Sequence, residues 1–333
     1  MNKVLFFAAF LIANHSIAQT PTPDSCFEFD SSHKIILRYL CDEIHDVIIP
    51  QGVIEIAARA FTGNKLTSVV IPNSVTTIGE FAFASNLLTS IKIPNSVTFL
   101  GFSAFDFNRL RSVKISNGLT SIGDYVFSQN ELRSVVIPNT VTSIGNGAFR
   151  WNRLTSIVIP SSVTKIGHTA FSSNLISSLI IPAKVTSIGD RAFMDNQLTF
   201  VKIPEHIIYM GKDVFYMNFL TNIGIPKNFT EISVGLFRRN RLNHVYIPQG
   251  VTKISSCAFC GNELTSIKIP NSVTEIEPRA FRHNRLTSVA IPESVINIGI
   301  DAFTGNKIST VTIPKYTEIT DYTFDYDVHI IRK

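Results

Sequence analysis

Hydrophobic and polar positions alternate along this chain in a repeating unit, and equivalent positions of successive units lie 22 apart in constant phase. An Ile-Pro pair marks each unit from Pro50 to Pro314, and Ser116 stands in the one unit that lacks the proline. A phenylalanine recurs in the same register from Phe61 to Phe303, and an asparagine follows it three residues later. Fixed periods of about 20 to 50 residues are typical of stacked repeats, in which each unit buries apolar side chains against its neighbours. The pattern therefore predicts a solenoid.

The segment before each proline is predicted to be a strand. In residues 154–159, apolar residues occupy alternate positions, so Ile157 and Ile159 point inward while Val158 faces outward. Pro160 ends the strand because it has no N–H group to donate. We expect these strands to stack into one long parallel sheet with a flat, accessible face. Its outward row is Val70, Lys92, Lys114, Val136, Val158, Ile180, Lys202, Gly224, Tyr246, Lys268, Ala290 and Thr312.

The other half of the unit, residues 141–149, alternates briefly and then turns at Gly145. We expect a short strand followed by a tight helical turn, with Ala148 and Phe149 in the interior. Glycine in this position would allow a positive φ at low cost, although three later units carry Ser or Glu there. The recurrent asparagine, such as Asn152, is predicted to be buried, where its amide can satisfy backbone groups of adjacent coils.

These motifs resemble the leucine-rich repeat superfamily, and most closely the Treponema-type or BspA-like class of bacterial surface proteins. Leu66-x-x-Val69-x-Ile71 matches the leucine-rich core, and residues 72–83 match the class-specific half. The resemblance implies a curved, right-handed, mainly β solenoid of about 12–13 coils, each one repeat unit long. It also implies a secreted or surface-exposed protein that binds proteins or host matrix without catalysis. It supplies no site residues.

Residues 1–18 combine a Lys3-bearing start, a short apolar run and a small-residue end, which predicts a secretory signal peptide. No later stretch approaches about 20 uninterrupted apolar residues, so we expect no transmembrane segment. The expected location is extracellular, on the cell surface or in the periplasm. We divide the remainder into an N-terminal cap at 19–46, a leucine-rich repeat array at 47–313 and a C-terminal cap at 314–333.

The chain contains four cysteines. Cys26 and Cys41 precede the repeats, and an oxidising compartment favours a disulfide between them that closes the N-terminal end. Cys257 and Cys260 form a single C-x-x-C motif in a late unit. It could be half of a redox or zinc motif, a local disulfide or two loop thiols, and metal or redox chemistry is the disfavoured alternative.

Polar residues follow the repeat phase and do not converge as catalytic acids, bases and nucleophiles do. Zinc-protease, serine-hydrolase and P-loop motifs are missing from the sequence. We therefore expect no enzyme activity, no cofactor and no metal site. The compact cluster Asp325, Asp327 and His329 is interpreted as a solvated polar cap, with Tyr326, Val328 and Ile330 covering the last coil.

Aromatic residues disturb the repeat between residues 200 and 229. Tyr209 lies in this stretch, and Tyr216, Met217 and Phe219 fill positions that elsewhere hold small, polar or basic residues. We expect an exposed apolar bulge, which on a secreted chain commonly marks a binding surface. Relaxed packing or a local bend is the alternative.

Basic residues suggest a second binding feature. Arg238, Arg239 and Arg241 are followed by Arg282 and Arg285, and stacking is expected to gather them into one cluster. Such a cluster could dock an anionic partner, whereas an ordinary solvated edge is the simpler interpretation. A smaller copy lies at residues 150–153.

Taken with the composition, these features predict a noncatalytic scaffold that binds a protein or an extracellular-matrix surface. The alternatives are a binder of anionic polysaccharide through the arginines, and a structural envelope protein. The net charge is only +5 and no concentrated basic arm occurs, so we expect no nucleic-acid partner.

Overall fold

The computed structural model describes residues 21–333. The predicted signal peptide lies outside the described residues. The chain forms stacked coils, one for each repeat unit, and each regular coil has two short extended segments joined by turns. We call the segments that precede the recurrent glycine the glycine-side strands, and those that precede the proline the proline-side strands.

The glycine-side strands pair in parallel with their neighbours at the same position of successive coils. They are Glu55–Ile56, Thr77–Ile78, Phe99–Leu100, Ser121–Ile122, Ser143–Ile144, Lys165–Ile166, Ser187–Ile188, Tyr209–Met210, Glu231–Ile232, Lys253–Ile254, Glu275–Ile276 and Asn297–Ile298.

The proline-side strands are fewer and pair only two at a time. They are Asp46–Ile48, Ser68–Val70, Ser90–Lys92, Ser112–Lys114, Ser178–Ile180, Phe200–Lys202, Thr310–Ile313 and His329–Arg332. The prediction of one long sheet on this side is therefore wrong. The longer sheets lie on the glycine side, with five, five and four strands, and the first of them includes the N-terminal strands Phe27–Phe29 and Ile35–Tyr39.

Close backbone approach explains why hydrogen bonding is more continuous on the glycine side. A Cβ added at Gly189 would lie 2.5 Å from the backbone nitrogen of His168 in the preceding coil. Glycine accommodates this approach, and the N–H of Gly189 reaches the Ile166 carbonyl at 2.8 Å. The same hydrogen bond runs from Ser255 to Ile232 at 3.0 Å and from Glu277 to Ile254 at 2.9 Å, so glycine is not required for it. The expected positive φ is not found at this glycine.

Positive φ occurs two residues further on. Phe81, Tyr125 and Thr169 have φ of 55°, 57° and 52° in this position of their coils. The segment forms turns closed by bonds between residues i+3 and i, such as Ala84 N–H to Phe81 carbonyl at 3.0 Å. The predicted helical turns are not confirmed, and the one helix among residues 21–333 is the 3-10 helix Asp24–Cys26.

The recurrent phenylalanines form a continuous column inside the solenoid. All twelve, from Phe61 to Phe303, are fully buried, which confirms their predicted interior position. Successive rings are nearly parallel, with centroids 5.4 Å apart between Phe171 and Phe193. Dispersion and burial of aromatic area thus tie each coil to the next.

Different residues close the two ends of this column. At the N-terminal end Tyr39 packs 5.2 Å from the ring of Phe61. Strand Phe27–Phe29 pairs antiparallel with Ile35–Tyr39, and a disulfide joins Cys26 to Cys41.

At the C-terminal end Phe324 stacks on Phe303 with ring centroids 5.2 Å apart. The prediction that Tyr326 covers the last coil is wrong, because its side chain is fully exposed. Asp325 instead accepts hydrogen bonds from the backbone of Gly305 and Asn306.

The glycine-side sheet is interrupted twice, and each interruption lies at an irregular unit. The first separates Leu100 from Ile122, in the coil where Ser116 replaces proline. The second separates Met210 from Ile232, where the Ser233 hydroxyl donates to the Met210 carbonyl at 2.8 Å. Departures from the repeat in sequence therefore coincide with weaker coil-to-coil bonding.

Deletion of one regular coil should leave a folded, shorter solenoid. Removing residues 160–181 keeps the repeat phase, and each coil contacts only its neighbours, so the new junction restores the same packing. We expect circular dichroism of the wild-type shape and a cooperative melt. Loss of folding in this variant, with an unchanged full-length control, would contradict additive stacking.

Candidate partner-binding surface

One edge of the solenoid carries two aromatic residues, Tyr216 and Phe219, and two arginines, Arg238 and Arg241. Each arginine occupies the same position of its coil as an aromatic residue of the preceding coil. Residues 216 and 238 are 22 apart, as are residues 219 and 241. The guanidinium of Arg238 lies 4.9 Å from the Tyr216 ring centroid, and that of Arg241 lies 4.4 Å from Phe219. We call Tyr216, Met217, Phe219, Arg238, Arg239 and Arg241 the arginine–aromatic edge.

The backbone fixes the direction of this edge. Met217 and Arg239 have φ of 57° and 50°, and the Met217 N–H donates to the Arg238 carbonyl at 3.1 Å. This left-handed turn carries Met217 outward, so 40% of its surface is exposed, close to the 39% of Phe219. The predicted apolar bulge is thus exposed in part, with the arginines covering some of its ring surface.

The arginines differ in their ion pairing. Arg285 lies 3.1 Å from Glu263, and Arg282 lies 3.3 Å from Asp301, so neighbouring carboxylates offset both charges. Arg238, Arg239 and Arg241 have no carboxylate partner within the described residues. Exposed cation–π contacts contribute only about 0.5–1 kcal/mol, so these guanidinium groups can still bind an anion.

Stacking does not bring all five predicted arginines together. Residues 238 and 282 are 44 apart, which is two coils. The intervening coil places Cys260 and Glu263 at the corresponding positions. The free positive charge is therefore concentrated on the coil of Arg238.

Tyr209 lies apart from the other predicted residues. It belongs to the glycine-side strand Tyr209–Met210, and its hydroxyl lies 3.4 Å from an Asp190 carboxylate oxygen. With Ile208, Phe229 and Ser233 it lines a cleft of about 400 Å³ at the second interruption of the sheet. The structure thus assigns Tyr209 to a different face.

The smaller upstream copy makes a different arginine–aromatic contact, between two neighbouring residues of one coil. Arg150 lies over the Trp151 ring at 4.1 Å, and Trp151 is exposed with φ of 52°. Arginine next to an outward aromatic residue is therefore a recurring arrangement on this edge.

A second exposed apolar surface lies on the proline side. Val136, Val158 and Ile180 are 82%, 81% and 63% exposed and occupy three successive coils. The outward direction predicted for this row is confirmed. The prediction emphasised its hydroxyl and lysine content and gave less weight to this contiguous aliphatic stripe.

Outside these surfaces we looked for groups of metal-ligating side chains and for the contacts of the histidines. Within residues 21–333 no three His, Cys, Asp or Glu side chains are grouped so as to hold a metal ion. His168 has a structural contact instead, since its Nδ1 accepts the backbone N–H of Asp190 at 3.0 Å.

Comparison with known families gives a match across almost the whole described chain. Residues 36–154, 142–264 and 254–331 match the BspA type leucine rich repeat region, in six copies. The chain belongs to the BspA-type leucine-rich repeat family. The resemblance stated from the repeat motifs is thereby confirmed, and the architecture of this BspA-type protein is a leucine-rich repeat solenoid with parallel sheets.

Solved structures support the assignment. A leucine-rich repeat protein from Bacteroides ovatus is similar with a TM-score of 0.73 and 23% identity, over 90% of this chain and 87% of that one. A leucine rich cell surface protein from Faecalibacterium prausnitzii is similar with a TM-score of 0.65 and 26% identity, over 95% and 96% of the chains. No curated protein matches the chain.

The family indicates the general role of this BspA-type chain. Leucine-rich repeat proteins of this type are, in general, noncatalytic scaffolds for protein interaction, and the family includes cell-surface proteins. In the described part of the chain no helix has the length and apolar character needed to cross a membrane.

Proposed function

We propose that this BspA-type protein is a secreted or cell-surface scaffold that adheres to a protein partner, including proteins of a host matrix. The arginine–aromatic edge is the proposed contact surface. The observation that carries the proposal is the stacking of Arg238 and Arg241 on Tyr216 and Phe219, while Glu263 in the next coil pairs with Arg285 and the described residues make no ion pair with either guanidinium group.

This arrangement suits an acidic protein segment that also carries apolar side chains. Tyr and Arg are enriched among the residues that dominate binding energy, because they bury large area and donate directed hydrogen bonds. Stacking on the rings limits the motion of the guanidinium groups, so less side-chain entropy is lost on binding. The Arg150–Trp151 pair, three coils upstream of Tyr216, gives an extended partner a second point of attachment.

Anionic polysaccharide is the second candidate partner, favoured by the unpaired charge of Arg238, Arg239 and Arg241. The two candidates differ in salt dependence. Binding carried by exposed charge pairs falls steeply with ionic strength, whereas binding that buries apolar and aromatic area does not.

A comparison of a triple and a double variant tests the proposal. Purified matrix proteins and heparin are immobilised, and binding of the wild type is measured between low and high salt. Substitution of Arg238, Arg239 and Arg241 by Gln should weaken protein binding at least tenfold. The matched control replaces Arg282 and Arg285, whose charges are already paired, and should bind within about twofold of the wild type. Equal loss in both variants would contradict a specific role for the edge.

The salt series separates the two partners. Retention on a matrix protein at high salt, with weak binding to heparin, supports a protein partner. Binding to heparin alone, abolished by moderate salt, would replace the proposal with the polysaccharide alternative.

A further inference from the structure

Cys257 and Cys260 share a single turn of one coil. The Cys260 N–H donates to the Cys257 carbonyl at 3.1 Å, and Cys257 has φ of 55°. The interaction between the two thiols is the largest influence on the pKa of each sulfur. Cys257 is partly exposed while Cys260 is buried, so Cys257 is the more accessible residue of the pair.

Three arginines from the flanking coils act electrostatically on the Cys257 thiol. Arg238 belongs to the preceding coil, and Arg279 and Arg282 belong to the following one. The hydrogen bond from Cys260 and these positive charges lower the pKa of Cys257 to about 7, against an opposing effect of burial. The same hydrogen bond and burial raise the pKa of Cys260. Thiolate and thiol forms are thus divided between the two residues.

Packing of the repeat does not require cysteine at either position. The residues that correspond to Cys257 include Arg59, Thr169 and Gly235, and all adopt a positive φ. Serine corresponds to Cys260 at Ser128 and Ser172. The solenoid accommodates widely different side chains here, so the paired sulfurs need an explanation outside the fold.

We propose that Cys257 and Cys260 are a redox-active dithiol that exchanges reversibly with disulfides in the surroundings of the protein. The Cys257 thiolate attacks one sulfur of an external disulfide, forms a mixed disulfide and releases one thiolate. Cys260 then loses its proton and attacks the Cys257 sulfur, which forms the Cys257–Cys260 disulfide and releases the second thiolate. Two protein thiols are oxidised and one external disulfide is reduced to two thiols.

The site is independent of the proposed partner surface, although Arg238 adjoins both. Low thiol pKa, partial exposure and a resolving cysteine are the properties that distinguish reactive from structural cysteines. The Cys26–Cys41 pair differs, because it is already a disulfide at the N-terminal end.

Redox titration with glutathione tests the proposal. The full chain is reduced, equilibrated over a series of reduced to oxidised glutathione ratios, quenched with acid, alkylated and mapped by peptide mass. We expect the Cys257–Cys260 disulfide to form and disappear within this series. Cys260→Ser should instead accumulate a mixed disulfide of glutathione on Cys257. Thiols that stay reduced at the most oxidising ratio, or a disulfide that no ratio reverses, would overturn the proposal.

Alkylation kinetics test the role of the arginines. The rate of Cys257 alkylation by iodoacetamide should rise with a midpoint near pH 7 in the wild type, below the value of about 8.5 for a free thiol. Arg279→Gln with Arg282→Gln should lower the rate at pH 7 severalfold. Arg153→Gln, far along the array, should leave it unchanged. A wild-type midpoint at the free-thiol value, or equal rates in all variants with a folded circular dichroism spectrum, argues against an activated thiolate.

Discussion

Asn174→Ala should destabilise the solenoid more than any single surface substitution considered above. The Asn174 side-chain oxygen accepts the Leu154 N–H at 3.0 Å, and its amide nitrogen donates to the Phe149 carbonyl at 2.9 Å. Both partners belong to the preceding coil and are buried. Alanine leaves the Leu154 N–H without a partner, whereas the Phe149 carbonyl keeps the side-chain amide of Asn152 at 3.2 Å. A buried unsatisfied group costs about 1–3 kcal/mol. We expect the free energy of unfolding to fall by about 1–3 kcal/mol.

Asn73→Ala provides the matched control. Asn73 is exposed and makes no side-chain hydrogen bond within the described residues, so its loss should change stability by less than about 0.5 kcal/mol. Urea denaturation followed by circular dichroism measures both variants. Hydrogen exchange at the Leu154 amide gives a local measurement, since exchange there should accelerate in Asn174→Ala. Equal denaturation midpoints for the two variants would show that the asparagine column does not hold the coils together.

The sequence predicts the interior of this protein well because the interior obeys the repeat. Inward Phe171, buried Asn174 and outward Val158 follow directly from their positions in the unit. Any side chain that meets its own counterpart one coil away can be located by adding 22 to its number. The Tyr216–Arg238 stack follows the same rule, so the period alone could have identified it.

The distance between the backbones of successive coils cannot be predicted from the repeat period. Alternation marks both extended segments, but continuous hydrogen bonding depends on how closely successive coils approach. At Gly189 a Cβ would meet backbone atoms of the preceding coil, yet Ser255 and Glu277 make the same hydrogen bond between coils without glycine. The sequence therefore predicts both sets of strands correctly. It places the long sheet on the proline side, whereas the longer sheets lie on the glycine side.

The C-terminal end shows a second limit. Phe324 lies 21 residues after Phe303, one short of the period, so the register that located every other ring misses it. Ion pairing is a third limit, because Arg282 and Arg285 match the basic pattern although Asp301 and Glu263 offset their charge. The period could have identified the Glu263–Arg285 pair, because the two residues are 22 apart, but the Arg282–Asp301 pair joins different positions of the unit and needs the three-dimensional packing.

Tyr216→Ser combined with Phe219→Ser should weaken binding of a matrix-protein partner by more than tenfold. The substitutions remove the two rings that support Arg238 and Arg241, so they abolish aromatic contact and also release both guanidinium groups. The melting temperature should change little, because serine and other polar residues already occupy the corresponding positions in other coils and exposed cation–π pairs contribute about 0.5–1 kcal/mol each. Surface plasmon resonance and thermal melting measure the two effects.

Phe107→Ser is the matched control for this double variant. Phe107 is an exposed aromatic residue with φ of 53°, at the position in its coil that Met217 has in its own. Its loss removes apolar area from the same edge without touching an arginine stack, so partner affinity should stay within about twofold. If the double variant binds normally while folded, the partner contacts another surface. The same assay would then be applied to Val158→Ser on the exposed stripe of Val136, Val158 and Ile180, where a single exposed β-branched side chain can be removed without disturbing the core.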